Sequence, residues 1–252
     1  MNRPVTIVVL ARYWEIFAGF LDSAEEFAPE VPKILVRDPT DEAWPHLHGR
    51  WQTIAGPETF SMAANANLGV KAAAEFTGKD SDILYCGDDI RFLEAQTVER
   101  LQAIAYAHPE VGILSPRLEG RASFPLAHPQ SECDYVRPIE MWFPCVYLKR
   151  ELIGKVGDWD ERFDSFGDDF DYSVRAELAG YRCAVTNAVT VRHDGAPSGG
   201  GGVSGGPSTF VKRAGPAGWK KPGGVLETFA AKYGVTLERL HEYIRTGELP
   251  SS

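Results

Sequence analysis

Asp82-Ile83-Leu84-Tyr85-Cys86-Gly87-Asp88-Asp89 is a short apolar run that stops abruptly on two acids. A run of this length, bounded by turn residues, reads as a buried strand of a sheet covered on both faces. Upstream, Val5-Thr6-Ile7-Val8-Val9-Leu10 is a β-branched run of the same kind, Lys33-Ile34-Leu35-Val36 is another that ends on Arg37-Asp38-Pro39, and Trp51-Gln52-Thr53-Ile54 is a fourth. Between them, Tyr13 to Phe27 places Ile16, Phe20 and Ala24 on one helical stripe, and Met62 to Ala74 is an Ala-rich helix that Ser61 can cap. Downstream, Thr97 to Tyr106 reads as a helix, 111–114 and 145–148 as strands, and Asp169 to Ala179 as a helix stopped by Gly180. Cys183–Val185 and Val189–Val191 read as two short closing strands. This alternation predicts an α/β protein with a mostly parallel open sheet and helices on both faces.

The composition narrows the function. The 252 residues carry 26 Lys+Arg against 35 Asp+Glu, a net charge of −9. That sign disfavours nucleic acid as the main partner, because binding to phosphates needs a basic field. No apolar run approaches a membrane span, and no signal peptide precedes the first strand, so a cytoplasmic location is expected. The cysteines at 86, 133, 145 and 183 lack the CxxC spacing of a zinc or redox site and are expected to be reduced. Between Gly195 and Gly224 lie eleven of the 25 glycines, too many for regular structure. Past them, Val225 to Lys232 and Thr236 to Arg245 return to helical patterning.

Acids follow strands at Asp38 and at Asp88-Asp89, and a further pair, Asp168-Asp169, opens a helix. In open α/β sheets ligands bind outside the carboxyl ends of the strands. Asp89 is a candidate ligand for a hard divalent cation, and His193, ending a short strand, is a candidate nitrogen ligand. The acid-rich segment 158–171 is not a calcium loop, because Arg162 and Phe163 stand where an oxygen ligand and then Gly are needed. His46 and His48 share a loop with no carboxylate nearby, which makes them poor ligand candidates.

The order of these motifs resembles the family 2 inverting glycosyltransferases of the GT-A (nucleotide-diphospho-sugar transferase-like) fold. Asn67-Leu68-Gly69 resembles the N-x-G helix of that family, and 83–89 its strand ending in a DxD-type motif. Tyr147 to Glu151 followed by Val156 to Phe163 is similar to its "RRE…vGgfDErF" run. Phe166 to Arg175 resembles its "ED-x-D…R" element, Val189 to His193 its strand ending in His, and Phe229 to Gly234 its C-terminal "F…KWG". The block 145–193 is the specific part. Three places depart from the pattern: Gly87 stands where an acid or Asn is frequent, the first strand ends Ala11-Arg12-Tyr13, and Phe143-Pro144 stands where small residues are common.

The resemblance implies a metal-dependent transferase that moves a sugar from a nucleotide-diphosphate sugar, a UDP- or GDP-sugar, to an acceptor hydroxyl. It implies Asp169 as general base, Asp89 and His193 as ligands of Mn²⁺ or Mg²⁺, and Asp38, Asn67, Lys71 and Asp88 as donor-binding residues. Asp168, Trp142 and Trp159 are then candidates for the acceptor side, each Trp being equally a candidate core residue. With the glycine-rich boundary, this gives an expected organisation of a catalytic domain over 1–195, a Gly-rich lid over 196–224 and a helical extension over 225–252. A nucleotidyltransferase of similar sheet, and a non-catalytic nucleotide-sugar or glycan-binding relative, are the alternative functions.

Overall fold

A computed structural model of the chain describes residues 3–38, 44–58, 61–78, 80–120, 125–163, 167–195 and 224–246. Among the described residues nine strands form one sheet: β1 (Val5–Ala11), β2 (Lys33–Arg37), β3 (Trp51–Ala55), β4 (Asp82–Gly87), β5 (Ile90–Phe92), β6 (Val111–Gly120), β7 (Asp134–Val136), β8 (Cys145–Leu148) and β9 (Arg182–His193). Their spatial order is β3-β2-β1-β4-β8-β6-β9-β5, and β7 also pairs with β9. Strands β1, β2, β3, β4, β6 and β9 run one way, whereas β5, β7 and β8 run against them. The sheet is therefore mostly parallel, with its carboxyl ends gathered on one edge.

Seven α-helices accompany it among the described residues: α1 (Trp14–Phe27), α2 (Met62–Thr77), α3 (Thr97–Ala107), α4 (Arg150–Val156), α5 (Asp168–Leu178), α6 (Val225–Tyr233) and α7 (Leu237–Thr246). Alternation along the strands places α2 and α3 on opposite faces. Thr6 and Val8 meet α2, the first through Thr77 at 2.7 Å and the second where Gly69 leaves room for its methyl group. Asp82 lies in register with Val5 on the other face and accepts from Tyr106 of α3 at 3.0 Å. Ser61 caps α2 as expected, accepting from the Ala64 N–H at 3.2 Å.

The two predicted closing strands are one strand, β9. Its pairing with β6 slips between Pro116, opposite Thr186, and Arg117, opposite Thr190. Proline cannot donate to the ladder, and the extra residues form a bulge rather than a break. The polar Thr186-Asn187 step that reads as a gap is this bulge. All four cysteines are free thiols, with Cys86 and Cys145 buried side by side on β4 and β8.

A second apolar cluster joins α5 to the C-terminal helices through Phe163, Phe170, Val174, Leu226, Phe229 and Tyr243. The predicted lid falls almost wholly on residues 196–223, which lie outside the described residues.

Candidate functional site

The site is assembled at the carboxyl edge of the sheet. Arg12 follows β1, Asp38 follows β2, Asp88 and Asp89 follow β4, and His193 ends β9. Arg12 links two of these ends. Its Nε lies 3.1 Å from Asp38 Oδ2, and its backbone N–H donates to Asp88 Oδ2 at 3.1 Å. Asp38 is nearly buried, and burial raises its carboxyl above the usual range, with the Arg12 guanidinium opposing that rise. Burial, followed by the neighbouring Asp89 charge, pushes Asp88 up to about 7 against the backbone donors that favour its ionised form.

Asp89 and His193 are 104 positions apart, yet Nε2 of the imidazole lies 3.2 Å from Asp89 Oδ2. The intervening device is β5, which turns straight back from Asp89 and pairs antiparallel with β9, setting Ile90 opposite His193. The Asp194 N–H then donates to the Asp89 carbonyl at 3.0 Å. Arg91 pins this turn from behind, donating to the carbonyls of Asp88 at 3.0 Å and Ile16 at 3.1 Å, with Nε 3.2 Å from Asp194 Oδ2. Gly19 leaves the space for it, since a Cβ there would stand 2.5 Å from the guanidinium. Sequence reasoning missed both Arg91 and Asp194. The available signal was a lone Arg between two apolar residues in Ile90-Arg91-Phe92.

Asp169 lies in the first turn of α5, after Gly167 at φ +78. Its Oδ1 accepts from the Phe170 N–H at 2.7 Å, and the Phe143 backbone also stabilises its ionised form. Burial nevertheless pushes the carboxyl up to about 6. Pro144, the residue after Phe143, accepts from the Gly87 N–H at 2.8 Å. The Phe143-Pro144 pair thus connects Asp169 to the Asp88-Asp89 turn. Asp168, half-buried, shares with Asp169 an electrostatic influence on the Tyr85 phenol, which burial already raises.

Other candidates stand elsewhere. The Asn67 amide brackets the 159–161 turn, accepting from the Trp159 N–H at 2.7 Å and donating to the Trp159 carbonyl at 3.0 Å and Glu161 Oε1 at 3.1 Å. Lys71 is exposed and lines, with Asn67, Arg150, Asp158 and Glu161, a cavity of about 600 Å³ between α2 and α4. Among the described residues neither Asn67 nor Lys71 bonds to Asp38, Asp88 or Asp89. Trp159 is a core residue, 3% exposed and stacked 4.0 Å from the Tyr172 ring. Trp142 is half-buried and packs against the main core.

Among the described residues no three His, Cys, Asp or Glu side chains gather as a ready-made metal site. A Mg²⁺-type ion needs fewer, because it keeps waters and borrows substrate phosphate oxygens beside one or two carboxylates. Adjacent ligands around an octahedral ion at about 2.1 Å are about 3 Å apart, and the Asp89–His193 spacing of 3.2 Å meets that geometry. The donor pair therefore fits a hard divalent cation.

No protein-family model and no curated protein sequence matches the chain. Solved structures do. Staphylococcus aureus TarS superposes with a TM-score of 0.58 at 17% identity, over 77% of this chain and 37% of that one. Its 1–349 fragment in complex with UDP gives a TM-score of 0.60 at 15% identity, over 77% of this chain and 61% of the fragment. GalNAc-T7 with UDP, GalNAc and Mn²⁺ gives 0.60 at 12% identity, over 96% of this chain and 57% of that one. The chain thus spans less than two thirds of each of these structures. At such identities the likeness concerns architecture, and the architecture is the GT-A glycosyltransferase fold.

Proposed function

We propose that the chain is a metal-dependent inverting glycosyltransferase of the family 2 type, moving a sugar from a UDP-sugar to an acceptor hydroxyl. The observation that carries this reading is the meeting of Asp89 with His193 at the sheet edge, with Asp169 tied to the same turn through Phe143-Pro144. The UDP present in two of the structural neighbours supports the choice of nucleotide, and the Mn²⁺ in one supports the metal.

Asp89 and His193 would hold the cation, which when bound supplies charge to stabilise the departing diphosphate. Asp38, held by Arg12 at the end of β2, would offer a carboxylate to the base or ribose of the nucleoside. Asp88, held by the Arg12 N–H, offers the ribose a second acceptor. Asp169 takes the proton from the acceptor hydroxyl as that oxygen attacks the anomeric carbon opposite the leaving group, so the configuration inverts. A carboxyl raised to about 6 suits that task, since it is ionised at neutral pH yet more basic than an ordinary Asp. Asp168, beside it, orients the acceptor.

Thermal unfolding with UDP tests the donor site. UDP with Mn²⁺ should stabilise the protein, by about 2.7 kcal/mol at 100 times its dissociation constant. Asp89→Ala and His193→Ala should each remove the Mn²⁺-dependent increment. Equal stabilisation by UDP in excess EDTA would dismiss the metal. Asp169→Asn should keep UDP binding and lose roughly 10²–10⁴-fold in sugar-transfer turnover. Retention of more than about a tenth of the rate would remove Asp169 as the base.

A further inference from the structure

A buried charge cluster fastens the C-terminal helices to α5. Asp171 is wholly buried and accepts from three donors: Arg175 Nε at 2.8 Å, the Tyr233 hydroxyl at 2.8 Å and Lys232 Nζ at 2.7 Å. The same Lys232 ammonium lies 2.7 Å from Asp160 Oδ2, which Arg162 also holds at 2.6 Å. One side chain from α6 therefore ties α5 to the turn that precedes it. Either side of Asp168-Asp169, the packing also belongs to α6. Gly167 abuts Val225 so closely that a Cβ would stand 2.5 Å from its methyl group, and the Phe170 ring stacks on Phe229 at 4.5 Å.

Asp169 itself is held locally. Its donors are backbone N–H groups, at Phe170, Asp169 itself and Phe143, and the titratable group whose electrostatics it shares with the adjacent Asp168 is Tyr85 on β4. The aim of its carboxylate is thus set by where the first turn of α5 lies. Apolar contact alone would suffice to keep α6 in place, because replacing a buried ion cluster by well-packed apolar side chains is often neutral or stabilising. Directional bonds to a buried carboxylate additionally fix rotation and register.

We propose that Lys232 and Tyr233 are positioning residues for Asp169, locking the first turn of α5 at the sheet edge through Asp171. This rests on reading Asp169 as the general base, for which sub-ångström placement matters.

The test follows the Asp169 carboxyl by ¹³C NMR titration of the full chain, with its signal identified by its loss in Asp169→Asn. Tyr233→Phe removes a hydroxyl and no charge, Lys232→Met removes the cation, and Lys232→Arg keeps it. The expected result is a titration midpoint displaced by about half a pH unit or more in Tyr233→Phe and Lys232→Met. Lys232→Arg should return it towards wild type, and the Asp38 midpoint should stay fixed in all three. An unmoved Asp169 midpoint in folded Tyr233→Phe overturns the proposal, and if Lys232→Met fails to fold, Tyr233→Phe and Lys232→Arg decide alone. The titration needs no substrate, so its outcome is separate from failure of the general-base reading, which would show as transfer surviving in Asp169→Asn.

Discussion

Asp169 sits half-buried at the start of α5, and burial raises its carboxyl to about 6. The sign of the resulting pH dependence is fixed by linkage. Unfolded, the group titrates near 4, so between about pH 4 and 6 the folded state binds more protons. Its contribution to stability is complete below about pH 4 and is lost as pH rises through about 6. A rise from about 4 to about 6 corresponds to about 2.7 kcal/mol, and partial contact with water reduces this to the order of 1–2 kcal/mol. Asp169→Asn is neutral throughout, so it should unfold at a higher temperature than wild type at pH 7.5 and at about the same temperature at pH 4. Equal melting temperatures at both pH values would show that the carboxylate is not desolvated. If Asp169 is the base proposed above, the substitution that slows transfer should thus be the one that stabilises the fold, the conflict expected at a functional residue.

At the scale of elements, α2 shows how closely a helix and sheet approach here. Gly69 stands over β1 and β2, where a Cβ would lie 2.4 Å from the Val8 side chain and 3.0 Å from that of Val36. Gly69→Ala brings up to about 1 kcal/mol of helix propensity, but the overpacking costs about 1–3 kcal/mol. The net effect should be a lower melting temperature, and Val8→Ala in the same chain should recover part of it. A melting temperature raised by Gly69→Ala alone would mean that the helix can shift outward freely. The helix itself was readable from its Ala-rich pattern and Ser61 cap. The short β5, β7 and α4 were not, because three to seven residues carry too little periodicity to stand apart from a loop.

For the molecule as a whole, α6 and α7 complete a core rather than trail from one. Phe163, Phe170 and Val174 find their cover in Leu226, Phe229 and Tyr243, and Asp171 takes two of its three donors from α6. A chain ending at residue 223 should expose that apolar surface and leave a buried carboxylate short of partners, a loss of several kcal/mol. Its melting temperature should fall well below that of the full chain, and binding of a hydrophobic dye should rise. Wild-type melting in the shortened chain would make the helices independent of the sheet and its carboxyl edge.

Much of the fold and part of the site were legible in the order of residues. Apolar runs and helical stripes encode which face of each element is buried, so the α/β alternation and the strand-end acids at Asp38 and Asp88-Asp89 follow from local pattern alone. The strand-end position also offered His193 as a ligand candidate and the motif likeness gave Asp169 its role as base, but only tertiary structure brings His193 to Asp89, through a three-residue strand whose pairing register is set by neighbours on β9. The same holds for side chains with two plausible fates. Asn67 is spent on the 159–161 turn, Trp159 is stacked in the core, and Arg12 and Arg91 brace the strand ends. Sequence specifies what each residue is able to bond, whereas the choice of partner depends on contacts between segments far apart in the chain, whose sum no local window contains.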